Sequence, residues 1–557
     1  MWIGENNEEG RYHKMKKIFL LILVVVCTLQ FASCTTKPSI TASGACGTNL
    51  AWTLDSKGVL TISGQGDMKS WTLESDIPWY SIKSDIIEIV IEKGVTSIGS
   101  EVFKDCDSLI SVSIPESVTT IGAWAFQDCD SLTSIAIPDG VRSIGKLAFN
   151  GCTDLTDITL SDSVTSIGER AFSATAYDWD TSNWENDVLY IGNHLIDTKP
   201  GISEKYHIKS GTITIADSAF HLSRNLTSVT IPAGVTSIGE DAFSYCNNLT
   251  SITIPDGVIS IDSGAFRHCD SLVNITIPDS VASIGEWTFE GCTSLTSITI
   301  PDGVTSIGKS MFADCDNLTN IAIPDSVTSI GWNAFGDCIS LTSITIPDGV
   351  TNIDRLAFSG CTNLADIALP DSVTSIGSFA FFDTAYYNDT SNWENGILYI
   401  GNHLIEMNPD ADGIHIKTET ITIADMAFSD CKSLTSIIIP DGITKIGDST
   451  FSQCSNLTNI TIPDSVTYIG MHAFSGCDSL TSIIIPDSVT SIGGEAFRHC
   501  DSLTNITIPN SVTNIGWNVF ANCYSLTDIY YTGSEEEWEA ISNDSNTKAT
   551  IHYQANY

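Results

Sequence analysis

A phenylalanine returns every 23 residues through most of this chain. It stands at Phe103, Phe126, Phe149 and Phe172, then at Phe220, Phe243, Phe266, Phe289, Phe312, Phe335, Phe358 and Phe381, and finally at Phe428, Phe451, Phe474, Phe497 and Phe520. Each ring sits in a variant of one phrase, typified by LTSITIPDGVISIDSGAFRHCDS at residues 249–271. One such unit cannot bury its apolar residues alone. Repetition at a fixed period in the twenties specifies a solenoid, in which each unit is a coil laid on the one before.

Within the unit, Ile252 and Ile254 alternate with Ser251 and Thr253, the two-residue period of a strand. Pro255-Asp256-Gly257 carries turn chemistry. Val258 and Ile261 supply a second short extended stretch, and residues 263–268 are expected to make one or two helical turns around Ala265 and Phe266. The expected fold is a β-rich, right-handed coil stack of about 19 coils with caps at both ends, each coil rising by roughly the 4.8 Å spacing of adjacent strands.

The remaining stretches divide the chain. Residues 1–14 are mostly polar, and Met15 reads as the start. Residues 15–34 read as a signal peptide: a Lys16-Lys17 pair, an apolar run from Ile18 to Val26, then Ala32-Ser33-Cys34. That ending resembles a bacterial lipobox, with Phe31 where Leu is usual and Cys34 as the lipidated residue; plain cleavage and an uncleaved anchor are the alternatives. Residues 35–85 are expected to form a tether and an N-terminal β cap, with a hairpin over 50–62 followed by Trp71, Trp79 and Tyr80. The solenoid occupies 86–531. Its period slips twice, across two near copies, TAYDWDTSNWENDVLYIGNHLIDTKP and TAYYNDTSNWENGILYIGNHLIEMNP. These give divergent coils at 173–207 and 382–415, each expected to hold a Gly-Asn hairpin turn and to push a Trp- and Tyr-bearing loop outward. Residues 532–557 are a C-terminal cap opened by the capping box Ser534–Glu537.

The unit LTSITIPDGVTSIG-x-x-AF-x-x-C, the segment SNWENGILYIGNHLI and the tail YYTGSEEEWEAI resemble the BspA-like leucine-rich repeat family of surface proteins. The resemblance implies a leucine-rich-repeat-type solenoid on a secreted or surface-anchored protein; a membrane attachment through a lipid anchor rests on the lipobox-like ending at Cys34. It implies adhesion to host extracellular matrix proteins, host cell-surface proteins or other bacterial cells. It names no ligand, because repeats are scaffolds. A formal charge of −42 argues against nucleic acid as a partner, since phosphates would be repelled.

Candidate chemistry is sparse. Fourteen cysteines lie three residues after the ring, Cys246, Cys269 and Cys292 among them. Their regular spacing lacks the close pairs of a metal site and reads as a ladder of small buried thiols, with disulfides left open by export. Asp256, Asp279 and their equivalents follow Pro as turn residues, and calcium bridging between them is a minor alternative. His268 and His499 precede ladder cysteines but lack an orienting third group. No cofactor or catalytic set stands apart from the repeat, so the chain reads as a non-enzyme. The candidate ligand-binding residues are Trp184, Trp393, Tyr177, Tyr386 and Tyr387 in the divergent coils, as aromatic anchors, and the polar strand strip Ser251, Thr253, Asn274 and Thr276. A structural spacer and a glycan-capturing lipoprotein are the rival readings.

Overall fold

The computed structural model describes residues 38–411, 414–541 and 548–554. The signal sequence, Met15 and Cys34 lie outside the described residues. The chain is a parallel β-solenoid of about 20 turns. Ser251–Thr253 pairs in register with Asn274–Thr276, placing Ile252 beside Ile275, and Ser260–Ile261 pairs likewise with Ser283–Ile284. Only the middle residue of each three-residue strand faces inward. The inward residues of every coil join one core: Leu249, Ile252, Ile254, Val258, Ile261, Ala265, Phe266 and Cys269 are all buried.

The rings stack. Centroids of Phe126 and Phe149 lie 5.2 Å apart with planes 5° from parallel, and Phe289 and Phe312 lie 5.6 Å apart at 4°. The stack starts on a residue of the cap, Trp79, whose ring lies 5.3 Å from Phe103 and whose indole N–H donates to Val102 O at 2.6 Å. Ahead of it, strands Ile40–Gly47, Leu50–Asp55 and Val59–Gly64 pair antiparallel, and the last joins Glu88–Ile91 in parallel. At the other end Trp538, on the helix Glu535–Ile541, packs on Tyr531 at 5.3 Å. Ser534 and Glu537 exchange both bonds of the capping box.

The helical turns expected over 263–268 do not form. Gly264 and His268 have φ of 64° and 52°, left-handed values that recur two residues before and two after the ring, as at Asn333 and Asp337 or Leu356 and Gly360. The N–H groups of Gly264, Phe266 and His268 donate to Glu286, Thr288 and Glu290 of the next coil at 2.8, 3.0 and 2.7 Å. The reason is spatial. An α-helix is about 10 Å across with its side chains, whereas the rings rise by little more than 5 Å per coil. Alternating handedness turns every second N–H along the stack axis and satisfies it there. A non-glycine residue held left-handed costs about 1–2 kcal/mol. Leu356→Asn is therefore expected to raise stability by about 0.5–1 kcal/mol in urea unfolding, and the β-branched Leu356→Val to lower it.

The ladder cysteines are free thiols. Cys269 Sγ donates to Phe243 O and Cys292 Sγ to Phe266 O, both at 3.2 Å, tying each thiol to the ring-bearing residue of the coil before. Thr175 and Thr384, which replace Cys, turn their hydroxyls to Phe172 O and Phe381 O instead. Burial pushes the Cys292 thiol up to about 12. The ladder thiols are expected to resist a thiol reagent at pH 8 in the folded protein and to react at once in guanidinium. Rapid native-state labelling would contradict this packing.

Candidate functional site

Two regions carry the residues singled out in the sequence. The strip Ser251, Thr253, Asn274 and Thr276 lies exposed on one strand face, as a regular ladder. Farther along the same face Ile438 and Ile484, 80% and 67% exposed, occupy the Thr253 position, an apolar turn of the strip that the Ser/Thr/Asn pattern of earlier coils conceals.

The divergent segments are more elaborate. In the first, the Thr175 side chain caps the short helix Ala176–Trp179, and Asp180 caps the turn that follows. Trp184–Glu185, Val188–Ile191 and His194–Thr198 then form a three-stranded antiparallel unit, with its hairpin turn at Gly192-Asn193. Its last strand rejoins the solenoid in parallel with Thr214–Ile215. The segment is thus a hairpin wedge rather than a coil with its own ring, although Val188, Ile191 and Ile196 are buried in the core. Beside the wedge, Asp217 N–H donates to Ile167 O at 2.9 Å, so coils on either side touch directly across it. The second segment repeats each step with Thr384, Trp393–Glu394, Ile397–Ile400 and His403–Met407.

Several of the aromatic groups have structural duties. Tyr177 and Tyr386 donate their hydroxyls to Tyr190 O and Tyr399 O. Trp184 and Trp393 donate their indole N–H to Asp178 O and Tyr387 O at 2.7 and 2.8 Å, which fixes each ring and leaves it half-buried. Tyr387 differs: its hydroxyl donates to Glu406 Oε1 at 3.0 Å, and burial holds the Glu406 carboxyl above the usual range. Tyr387 stands edge-on to Trp393 at 5.4 Å and to Phe382 at 5.3 Å, and Phe382 meets Phe379 at 5.9 Å. Sequence reasoning missed Phe379, Phe382 and Glu406; aligning the two near copies would have exposed them.

Neither His268 nor His499 activates the cysteine beside it. His268 Nδ1 lies 4.0 Å from Asp270, His499 faces Asn522, and the adjoining Cys269 thiol is engaged in the core. His194 and His403 are buried against backbone carbonyls, and burial lowers their basicity. Among the described residues no three His, Cys, Asp or Glu side chains gather as a metal site, and no helix is long and apolar enough to cross a membrane.

Coils of this period, with two short parallel ladders and a stacked aromatic core, define a leucine-rich repeat protein, a fold that typically serves as a non-catalytic binding scaffold. Residues 79–202, 213–342, 328–456 and 421–548 match the family model described as the BspA type leucine rich repeat region, and the chain belongs to that family. Among solved structures it is similar to a leucine-rich repeat protein from Eubacterium ventriosum, with 27% identity, 62% of this chain and 95% of that one covered, and a TM-score of 0.32. It is also similar to a leucine rich cell surface protein from Faecalibacterium prausnitzii, with 26% identity, 92% and 100% coverage and a TM-score of 0.28. A leucine-rich repeat protein from Bacteroides ovatus matches with 23% identity, 91% and 98% coverage and a TM-score of 0.22. No curated protein matches the chain.

The wedge places an acid under strain. Asp217 accepts from Glu240 N–H at 2.9 Å, yet burial, reinforced by the charges of Asp262, Glu240 and Asp241, pushes its carboxyl up to about 7. The unfolded chain ionises this group near 3.8. Between those values the folded state holds the extra proton, so this group's contribution falls as pH rises through the window. Asp217→Asn keeps the acceptor oxygen and removes the buried charge. It is expected to stabilise the protein by about 1–2 kcal/mol at pH 8 and by almost nothing at pH 4, measured by urea unfolding.

Proposed function

We propose that the protein is an exported binding protein of a bacterial surface, anchored through a lipid on Cys34, whose solenoid holds adhesive segments toward host matrix proteins or other cells. The observation that carries this reading is the pair of divergent wedges. A stack that needs only regular coils to persist twice interrupts its own aromatic ladder for the same segment of half-buried Trp and Tyr rings. Aromatic groups so fixed lose little further freedom on contact with a partner, which suits them as anchors. Membership of a family with a cell-surface relative supports export. The regularity of the remaining coils suits display at a distance, and it is also what a plain spacer requires.

Replacing residues 173–207 and 382–415 by regular coils separates these readings. Retention of cells or of matrix-coated beads is expected to fall to background while the fold and coil number persist. Unchanged retention, with only reach altered on removing coils, would favour the spacer. Cys34→Ala is expected to release the protein from the membrane fraction; continued membrane association would refute lipid anchoring there.

A further inference from the structure

The two wedges align residue for residue, Trp184 with Trp393 and Pro200 with Pro409, at an offset of 209 positions. In the first wedge the chain supplies its own cations. Lys199 Nζ lies 4.5 Å from the centroid of the Trp184 ring, and its charge also acts on Asp178. Arg170, exposed and 3.7 Å from Glu169, adds a weaker favourable charge at Asp197, the counterpart of Glu406.

In the second wedge both cations are gone. Asn408 stands where the first has Lys199, and Phe379 where it has Arg170; Phe382 replaces Ser173, Tyr387 replaces Asp178, and Asp383 replaces Ala174. Another lysine is kept as a control on this comparison. Lys209 and Lys417 both lie over a tyrosine, Tyr190 and Tyr399, and both pair with a glutamate, Glu185 and Glu394. The loss is therefore confined to the Trp393 face. Among the described residues no Lys or Arg lies over Trp393 or pairs with Glu406, and the nearby Lys445 is engaged with Asp425 at 3.6 Å.

Space accompanies the missing charge. A cavity of about 220 Å³ is lined by Phe379, Phe382, Glu406 and Asp430 among others. Beside it a second, of about 440 Å³, is bordered by Tyr387, Trp393, Glu406 and Asn408. Glu406 lines both. Its Oε1 is bound by Tyr387, which leaves Oε2 and the aromatic faces for a ligand. Aromatic walls with one carboxylate suit an organic cation carrying an apolar stem. A divalent metal would want several oxygens.

We propose that the second wedge binds an alkylammonium group, the lysine side chain of a polypeptide partner, in the place that Lys199 fills within the first. This rests on the reading of the wedges as binding elements and adds the chemistry recognised. The stem lies against Trp393 and Tyr387, and the ammonium meets Glu406.

The test titrates the full chain with Nα-acetyl-lysine methylamide and with its neutral norleucine analogue, observed by saturation-transfer NMR. The lysine amide is expected to bind saturably and about tenfold or more tighter than the analogue. Asn408→Lys, which restores the internal cation, and Glu406→Gln are each expected to weaken it by about tenfold or more with the melting temperature unchanged. Equal affinity for the two amides, no binding, or wild-type binding by Asn408→Lys would overturn the assignment. If the lysine amide fails to bind while segment replacement still abolishes bead retention, the ammonium site falls and the surface-binding reading stands. If it binds as expected while retention is indifferent to the segments, the ammonium site stands alone.

Discussion

A rise of about 5 Å per coil governs this molecule, because three different interactions must share it. Parallel strands require it for their hydrogen bonds. Flat rings stack at it, with centroids of Phe335 and Phe358 5.1 Å apart. The thiol of each coil reaches the ring-bearing carbonyl of the coil before at the same rise, as Cys361 does to Phe335 O at 3.0 Å. Any element thicker than one extended chain would force the coils apart. The ring-bearing corner consequently abandons the helix and alternates right- and left-handed residues, accepting strain at positions such as Trp287 and Leu356 in exchange for backbone bonds along the axis.

The wedges show what the stack tolerates. Each removes a ring from the ladder, between Phe172 and Phe220 and between Phe381 and Phe428, and inserts a hairpin whose last strand adopts the same parallel register. The core stays continuous through Val188, Leu195 and Ile215 in one copy and Ile397, Leu404 and Ile423 in the other. Polar groups are carried inward as a result. Asp217 and Asp425 each follow an alanine, Ala216 or Ala424, that stands beside the insertion where most coils have glycine, and both are held above the usual carboxylate range by burial.

Much of this was legible in the residues. The spacing of Phe and Cys specified coil length, core and stacking direction. The alternation around Ile252 located the strand, and TSNWEN with GN marked the insertions and their hairpins. Residues 263–268 misled because Ala265 and Arg267 favour helix locally; the veto comes from the next coil, which a propensity argument over one unit does not contain. The polar strip appeared uniform because Ser, Thr and Asn fill it in most coils, and Ile438 and Ile484 depart from that only one coil in two. Within the wedges, Trp393 and Tyr387 stood out in the sequence as aromatic residues of a repeated insertion. The pairing of Tyr387 with Glu406, and the vacated place of Lys199, required the two copies in three dimensions. A ring and the cation over it are 15 residues apart in the first copy, from Trp184 to Lys199.

The most direct measurement of the shared rise uses pulsed electron–electron resonance between spin labels on the exposed strip. One label is fixed at position 251 and the second placed at 320, 343 or 366, positions in successive coils of one ladder. The distances are expected to climb in even steps of about 5 Å per coil, near 14, 19 and 24 Å plus a constant for the labels' own length. Distances that do not increase with coil number, or that scatter without a common step, would show that the units are not stacked, and the account of core, thiols and wedges would fall with them.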